Sequence, residues 1–142
     1  MLHLIHPVLV HFTLAFVVTG GVCEAVGIFR RNPRLESFGM ALVLMGTLAL
    51  VPTVVAGLLA ENTVSLPPGL GGDLDWHARV SFVVLGVFLV ALVWKAWHRG
   101  VLPPSQRSPY ALLLLLGVLL ILISAYLGGD LVYGHGVGVR IA

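Results

Sequence analysis

Four stretches of this chain, Val8 to Phe29, Phe38 to Ala60, Val80 to Trp97 and Tyr110 to Leu127, run almost without charge for roughly 18 to 23 residues each. As helices rising ~1.5 Å per residue they measure about 27 to 35 Å, which matches a hydrocarbon core near 30 Å. The chain as a whole is 58% hydrophobic and 10% charged, with a mean hydropathy of +1.04, outside the range of soluble domains. The sequence therefore predicts an all-α integral membrane protein, a four-helix up-down bundle in one domain spanning residues 1–142. Its helices are expected near 6–30, 36–61, 75–98 and 108–129, with a tail over 130–142. The connections "RRNPRLES", "ENTVSLPPGLGGDLD" and "HRGVLPPSQRSP" are short and rich in turn formers, so consecutive helices should run antiparallel. Pro52 falls inside the second helix and predicts a kink there.

Several classes drop out on composition. The formal charge of +2 and a pI near 9.1 do not make a nucleic-acid surface, because the basic residues sit at helix ends without interleaved aromatics. Cys23 is the single cysteine, so neither an intrachain disulfide nor a thiolate zinc cluster can form. "TGGVC" does not make a lipoprotein cleavage site, since Val22 stands where a small residue is needed. No Lys or Arg precedes the first apolar run, and a cleaved signal peptide is not expected.

Arg30, Arg31, Arg34, Lys95, Arg99 and Arg107 fall on one side of such a bundle, and Arg79 and Arg140 on the other. That bias predicts the first side to be cytoplasmic, with both termini periplasmic and the protein multi-pass in a bacterial inner membrane. Five of the six histidines, His3, His6, His11, His77 and His135, then share the outer face. His98, beside Arg99, reads as a solvated interfacial residue. An ionisable side chain inside a membrane segment is costly, and the outer histidines are therefore candidate functional residues.

Pro7 suits the first turn of a helix, which makes His6 the expected N-cap and sets His11 about 7.5 Å deeper and about 140° around the axis. One helix cannot chelate with both rings. Asp75 is the expected N-cap of the third helix, placing His77 in its first turn at a similar depth. The halves also look alike: "AGLLAEN" closes the second helix and "AYLGGDL" the fourth, aligning Ala56 with Ala125, Leu58 with Leu127 and Glu61 with Asp130. Such a parallel repeat has a pseudo-two-fold axis along the membrane normal and puts the first and third helices on a diagonal.

Across that diagonal His11 and His77 can face each other, the arrangement that holds a b-type haem edge-on between two neutral imidazoles. His6 and His135 are the alternative ligands. The plainer account is that a neutral His11 hydrogen-bonds a carbonyl of a neighbouring helix while His3 and His6 sit among headgroups. Gly20, Gly21, Gly46, Gly57, Gly86 and Gly117 would give a macrocycle room, and would equally serve as ordinary helix-contact glycines. Glu61 and Asp130 are candidate second acceptors behind the ligand imidazoles, or proton acceptors for a quinol; solvated helix-end carboxylates would look the same. Glu24 is expected to pair with Arg30 or Arg31. The tail "LGGDLVYGHGVGVRIA" follows a helix instead of leading into one, so it is no phosphate loop. It is expected to fold back over the outer mouth, with Tyr133 and His135 as its cover. Trp76, Trp94 and Trp97 read as interfacial anchors.

"HPVLVHF" at the first helix, a lone His77 opening the third and "LGGDLVYGHGVGV" ending the fourth resemble the bacterial four-span membrane family filed as domain of unknown function twenty-two thirty-one. The resemblance matches the family's histidine before proline to His6 and its third-helix histidine to His77. In some branches glutamine stands at the places of His11 and His135, and proline often follows "HF" where this chain has Thr13. Family members fused to Rieske or c-type cytochrome domains imply a redox setting.

The expected function is accordingly a cytochrome b-like electron-transfer subunit rather than a stand-alone enzyme. It would bind haem b near the periplasmic face and exchange electrons with quinone or with a periplasmic cytochrome c or Rieske-type partner. Two alternatives are a copper or zinc site built from His6, His11, His77 and Glu61, and a structural subunit of a respiratory complex, as a homo-oligomer or within a larger assembly. Transport is disfavoured because nothing polar is expected to line the cytoplasmic half of the helices.

Overall fold

The computed structural model describes residues 2–64 and 66–138, with side chains from residue 5 onward; the side chain of His3 and all of Arg140 lie outside the described residues. Four helices follow one another, α1 (Leu2–Phe29), α2 (Pro33–Glu61), α3 (Gly71–Trp97) and α4 (Pro104–Gly129), and α4 widens into a π-helical turn at Asp130–Gly134. All four are long and apolar enough to cross a membrane, and no strand occurs among the described residues. The protein is thus a multi-pass membrane protein built as an all-α bundle. Leu48, Val93, Leu112 and Trp97 are among the large apolar side chains that face outward, as a lipid-bathed surface requires.

Local chemistry explains the helix ends. Asn32 caps α2 through its side-chain oxygen, which accepts from the main-chain nitrogens of Arg34 at 3.1 Å and Leu35 at 3.2 Å. Pro33 and Pro104 are the first residues of α2 and α4, where the missing N–H has no helical partner to lose. At the other two termini α1 begins well ahead of His6 and α3 begins at Gly71, so neither His6 nor Asp75 is a cap.

The helices form a ring in which α1 packs on α2 and α4, and α3 on α4 and α2, so that α1 lies diagonal to α3. Pro33 and Pro104 set a register of 71 residues between the halves. In that register Gly46, which packs on Val17, corresponds to Gly117, which packs on Phe88, and Val17 corresponds to Phe88. The register differs by two from the one that the closing carboxylates suggested. Glu61 ends α2 whereas Asp130 opens the π-helical turn, so their likeness in sequence is not an equivalence in space.

The two hairpins are packed unequally. Gly20 and Gly27 of α1 press on Val43 and Glu36 of α2, and Gly39 and Gly46 of α2 press on Glu24 and Val17 of α1, with a seven-residue spacing on both sides of the seam. A Cβ at Gly20 would stand 2.7 Å from the Val43 nitrogen, and one at Gly39 would run into the Glu24 backbone. Lipid gives helices no hydrophobic drive to associate, so close approach through small residues carries the packing. In the second hairpin the equivalent places hold Ala91, His98, Tyr110 and Gly117, and α3 and α4 touch more sparsely.

The end of the bundle interior at the α1–α2 and α3–α4 connections, the loop end, is polar, contrary to expectation. Glu24 and Lys95 are both buried, and their side chains meet at 3.1 Å; Glu24 does not pair with Arg30 or Arg31, which are exposed. Lys95 also reaches Glu36 at 2.7 Å, and Glu36 accepts from Arg107 at 2.8 Å. Tyr110 donates its hydroxyl to Glu24 at 3.1 Å, while Trp94 packs edge-on against the Tyr110 ring and donates to Gln106 at 2.7 Å. Breaking such a buried pair costs roughly 3 to 5 kcal/mol.

The glycine seam predicts that Gly39→Ala lowers the melting temperature of the detergent-solubilised protein by at least about 5 °C, through overpacking. Gly86→Ala, where an added Cβ meets nothing within 4 Å, should leave it unchanged or raise it slightly. Equal effects at the two positions would contradict this packing.

Candidate functional site

The end of the bundle opposite the charged network holds a cavity of about 440 Å³ bounded by all four helices and the tail. His6, His11 and His77 border it, with Glu61 at its rim and Tyr133 and Val137 contributed by the tail. The tail thus borders the cavity through Tyr133 and Val137, whereas His135, expected as part of its cover, is absent from the lining.

His6 and His77 are held in the same way. His6 Nδ1 lies 2.9 Å from the carbonyl oxygen of Thr53, and His77 Nδ1 lies 3.0 Å from that of Ser124. A carbonyl can only accept, so each Nδ1 carries a proton, and in the neutral tautomer this leaves the Nε2 lone pair free. Neither Nε2 has a hydrogen-bond partner among the described residues. Each ring lies in a notch left by a glycine one turn beyond the acceptor carbonyl. A Cβ at Gly57 would come within 3.0 Å of His6 Cε1, and one at Gly128 within 2.9 Å of His77 Cε1. A donated Nδ1 proton that fixes the ring and leaves Nε2 free is the outer-shell pattern of ligand histidines.

The correspondence is complete in the register set by the prolines. His6 and His77, Thr53 and Ser124, and Gly57 and Gly128 are each separated by 71 positions. Both rings therefore belong to diagonal helices and face one cavity as a pseudo-two-fold pair. A hydroxyl contact backs each hairpin but breaks the symmetry. Thr53 donates to Ala49 O at 2.7 Å, so Thr13 donates to Thr53, 2.8 Å away. Ser81 donates to His77 O at 2.9 Å, so Ser124 donates to Ser81, also at 2.8 Å. Thr13 stands seven residues after its histidine and Ser81 four.

The remaining sequence candidates sit differently. His11 borders the cavity but is exposed, and its Nδ1 bonds Pro7 O of its own helix at 2.6 Å. The histidine that matches His77 is His6. His135 is exposed and turns back on Asp130, with Nδ1 at 3.2 Å from its carbonyl and 3.6 Å from its carboxylate. Glu61 is exposed at the cavity rim, whereas Asp130 is outside the lining. Gly20, Gly21, Gly46 and Gly117 serve helix contacts, Gly57 holds a histidine, and Gly86 faces open space. Among the described residues no three of His, Cys, Asp and Glu gather closely enough to hold a metal ion.

Thr53, Ser124 and Gly128 were not singled out from sequence, and Gly57 only as room for a macrocycle. Their signal is the pair "TVVAG" and "SAYLG", a hydroxyl residue four before a glycine, each 47 positions after a histidine. The fold and the site define a small four-span helical membrane protein with a paired-histidine pocket. The chain belongs to the DUF2231 family, described as predicted membrane proteins, whose model matches residues 2–140. No curated protein and no solved structure matches it.

In cofactor-free protein labelled with ¹⁵N-histidine, His6 and His77 are expected to show the Nδ1–H tautomer. Gly128→Val should dislodge His77 and change its signal while leaving that of His6 in place. An Nε2–H tautomer at either ring would contradict the carbonyl anchors.

Proposed function

We propose that this chain is a cytochrome b-like electron-transfer subunit of the bacterial inner membrane, holding a haem b between His6 and His77 at its periplasmic end. One observation carries the reading: two carbonyl-anchored imidazoles with free Nε2 atoms, at equivalent positions on diagonal helices, border one largely apolar cavity. A volume near 440 Å³ falls within the ordinary range of cofactor sites, ~300 to 1,000 Å³. Two histidines suffice for haem, which brings four nitrogens of its own, whereas a bare copper or zinc ion needs further protein ligands, and among the described residues none gather. His6 thereby replaces His11 as first-choice partner of His77.

When bound, haem supplies one-electron chemistry. The protein's share is to hold both rings in one tautomer through the Thr53 and Ser124 carbonyls, which also raises their basicity as ligands. Glu61 at the rim is placed to take a proton from a quinol that delivers electrons at the membrane surface. Because the candidate ligands lie at one end, the chain alone does not carry electrons across the bilayer, and a periplasmic cytochrome c or Rieske-type protein is the natural exchange partner.

Protein purified from haem-replete cells should show a Soret band and, after dithionite, a sharp alpha band. His6→Ala and His77→Ala should each lose the haem while the bundle still inserts; His11→Ala and His135→Ala should keep it. Glu61→Gln should slow reduction by quinol without altering the spectrum. A colourless wild-type protein, or full haem content in His77→Ala, would sink the assignment, and a colourless protein free of metal would point to a structural subunit instead.

A further inference from the structure

The register of 71 residues that relates the two histidines also pairs Glu24 with Lys95 and Glu36 with Arg107. These are the residues that meet in the bundle interior at the loop end, Glu24 on Lys95 at 3.1 Å and Glu36 on Arg107 at 2.8 Å. In a two-fold assembly, a residue that touches its own equivalent lies on the axis. Both contacts do so, one across the α1–α3 diagonal and one across the α2–α4 diagonal.

Two identical hairpins in this arrangement would set like charges face to face on that axis. At the buried Glu24–Lys95 place such a contact is far more costly than at a solvated surface, while at Glu36–Arg107, whose side chains are 14% and 29% exposed, it is partly screened. Joining the two copies in one chain removes the requirement that they be identical. The first hairpin carries acid at both axial positions and the second carries base at both, and the four charges cancel. The third contact, Lys95 to Glu36 at 2.7 Å, has no mirror between Glu24 and Arg107 and marks where the halves have diverged.

We infer that the interface between the hairpins is a duplicated two-fold surface made self-excluding by charge. The partner that each hairpin accepts is a hairpin of the opposite sign, supplied by the other half of the same chain. The symmetric part of the duplication survives at the histidine end, where both halves present the same group to one cavity. The asymmetric part lies at the loop end and fixes which hairpin can pair with which. Tyr110, at the place of Gly39, belongs to the same divergence, since its hydroxyl reaches Glu24 across the interface.

The test uses the full-length chain and no cofactor readout, so its outcome is separate from that of the haem assignment. Glu24→Lys with Glu36→Arg makes all four axial charges positive, and Lys95→Glu with Arg107→Glu makes all four negative. Each double variant should lose monodisperse protein on size exclusion several-fold or more. The quadruple variant, which exchanges the signs throughout and leaves every contact between opposites, should recover to within about twofold of wild type. A quadruple variant as depleted as the doubles, or a double as abundant as wild type, would overturn the inference. A gentler cycle of Glu36→Gln, Arg107→Gln and their combination should show coupling, the combination melting no lower than the worse single variant; additive losses would also overturn it.

Discussion

A hydrocarbon environment offers no water to a polar side chain, and the polar groups of this bundle are held chiefly by one another or by main-chain carbonyls. That constraint shapes both ends of the interior. At one end two imidazoles give their Nδ1 protons to carbonyls of the facing helix; at the other, two acids and two bases neutralise each other. Between the two levels lies an apolar core around Val17, Val43, Phe88 and Leu114. The close seam of α1 on α2 brings Glu24 and Glu36 to the interior, and the looser seam of α3 on α4 leaves room for Tyr110 beside them.

The fold was legible because the signal for a membrane span is the length of an apolar run, and four such runs need only short connections. The polar interior was less legible, for two physical reasons. Lys95 near the end of an apolar run looks like a snorkelling anchor, and a sequence does not say whether such a charge turns to the interface or inward. The answer lay on another helix, in Glu36 and Glu24. The repeat was visible in kind but read two residues out of register. Glu61 and Asp130 attracted the alignment by their charge, while the residues that fix the register were prolines, a glycine notch and charges of opposite sign, which do not look alike when compared by type.

His11 was matched with His77 for a separate reason, since neither register relates them. Placing His6 as a helix cap made it peripheral, whereas α1 begins ahead of it and turns its ring onto Thr53. With His6 in place, the site has a logic that follows from duplication. A pair of equivalent imidazoles related by a pseudo-two-fold axis would suit the haem proposed above. Each hairpin contributes one ring, one anchoring carbonyl and one glycine notch. At the charged end the two hairpins are unlike, with acids on the first and bases on the second.

The most direct measurement of this account is electron paramagnetic resonance of the air-oxidised protein purified from haem-replete cells. The account predicts low-spin ferric haem with two imidazole ligands, one haem per chain. A wild-type protein without haem, or one whose ferric haem is high-spin, would contradict it.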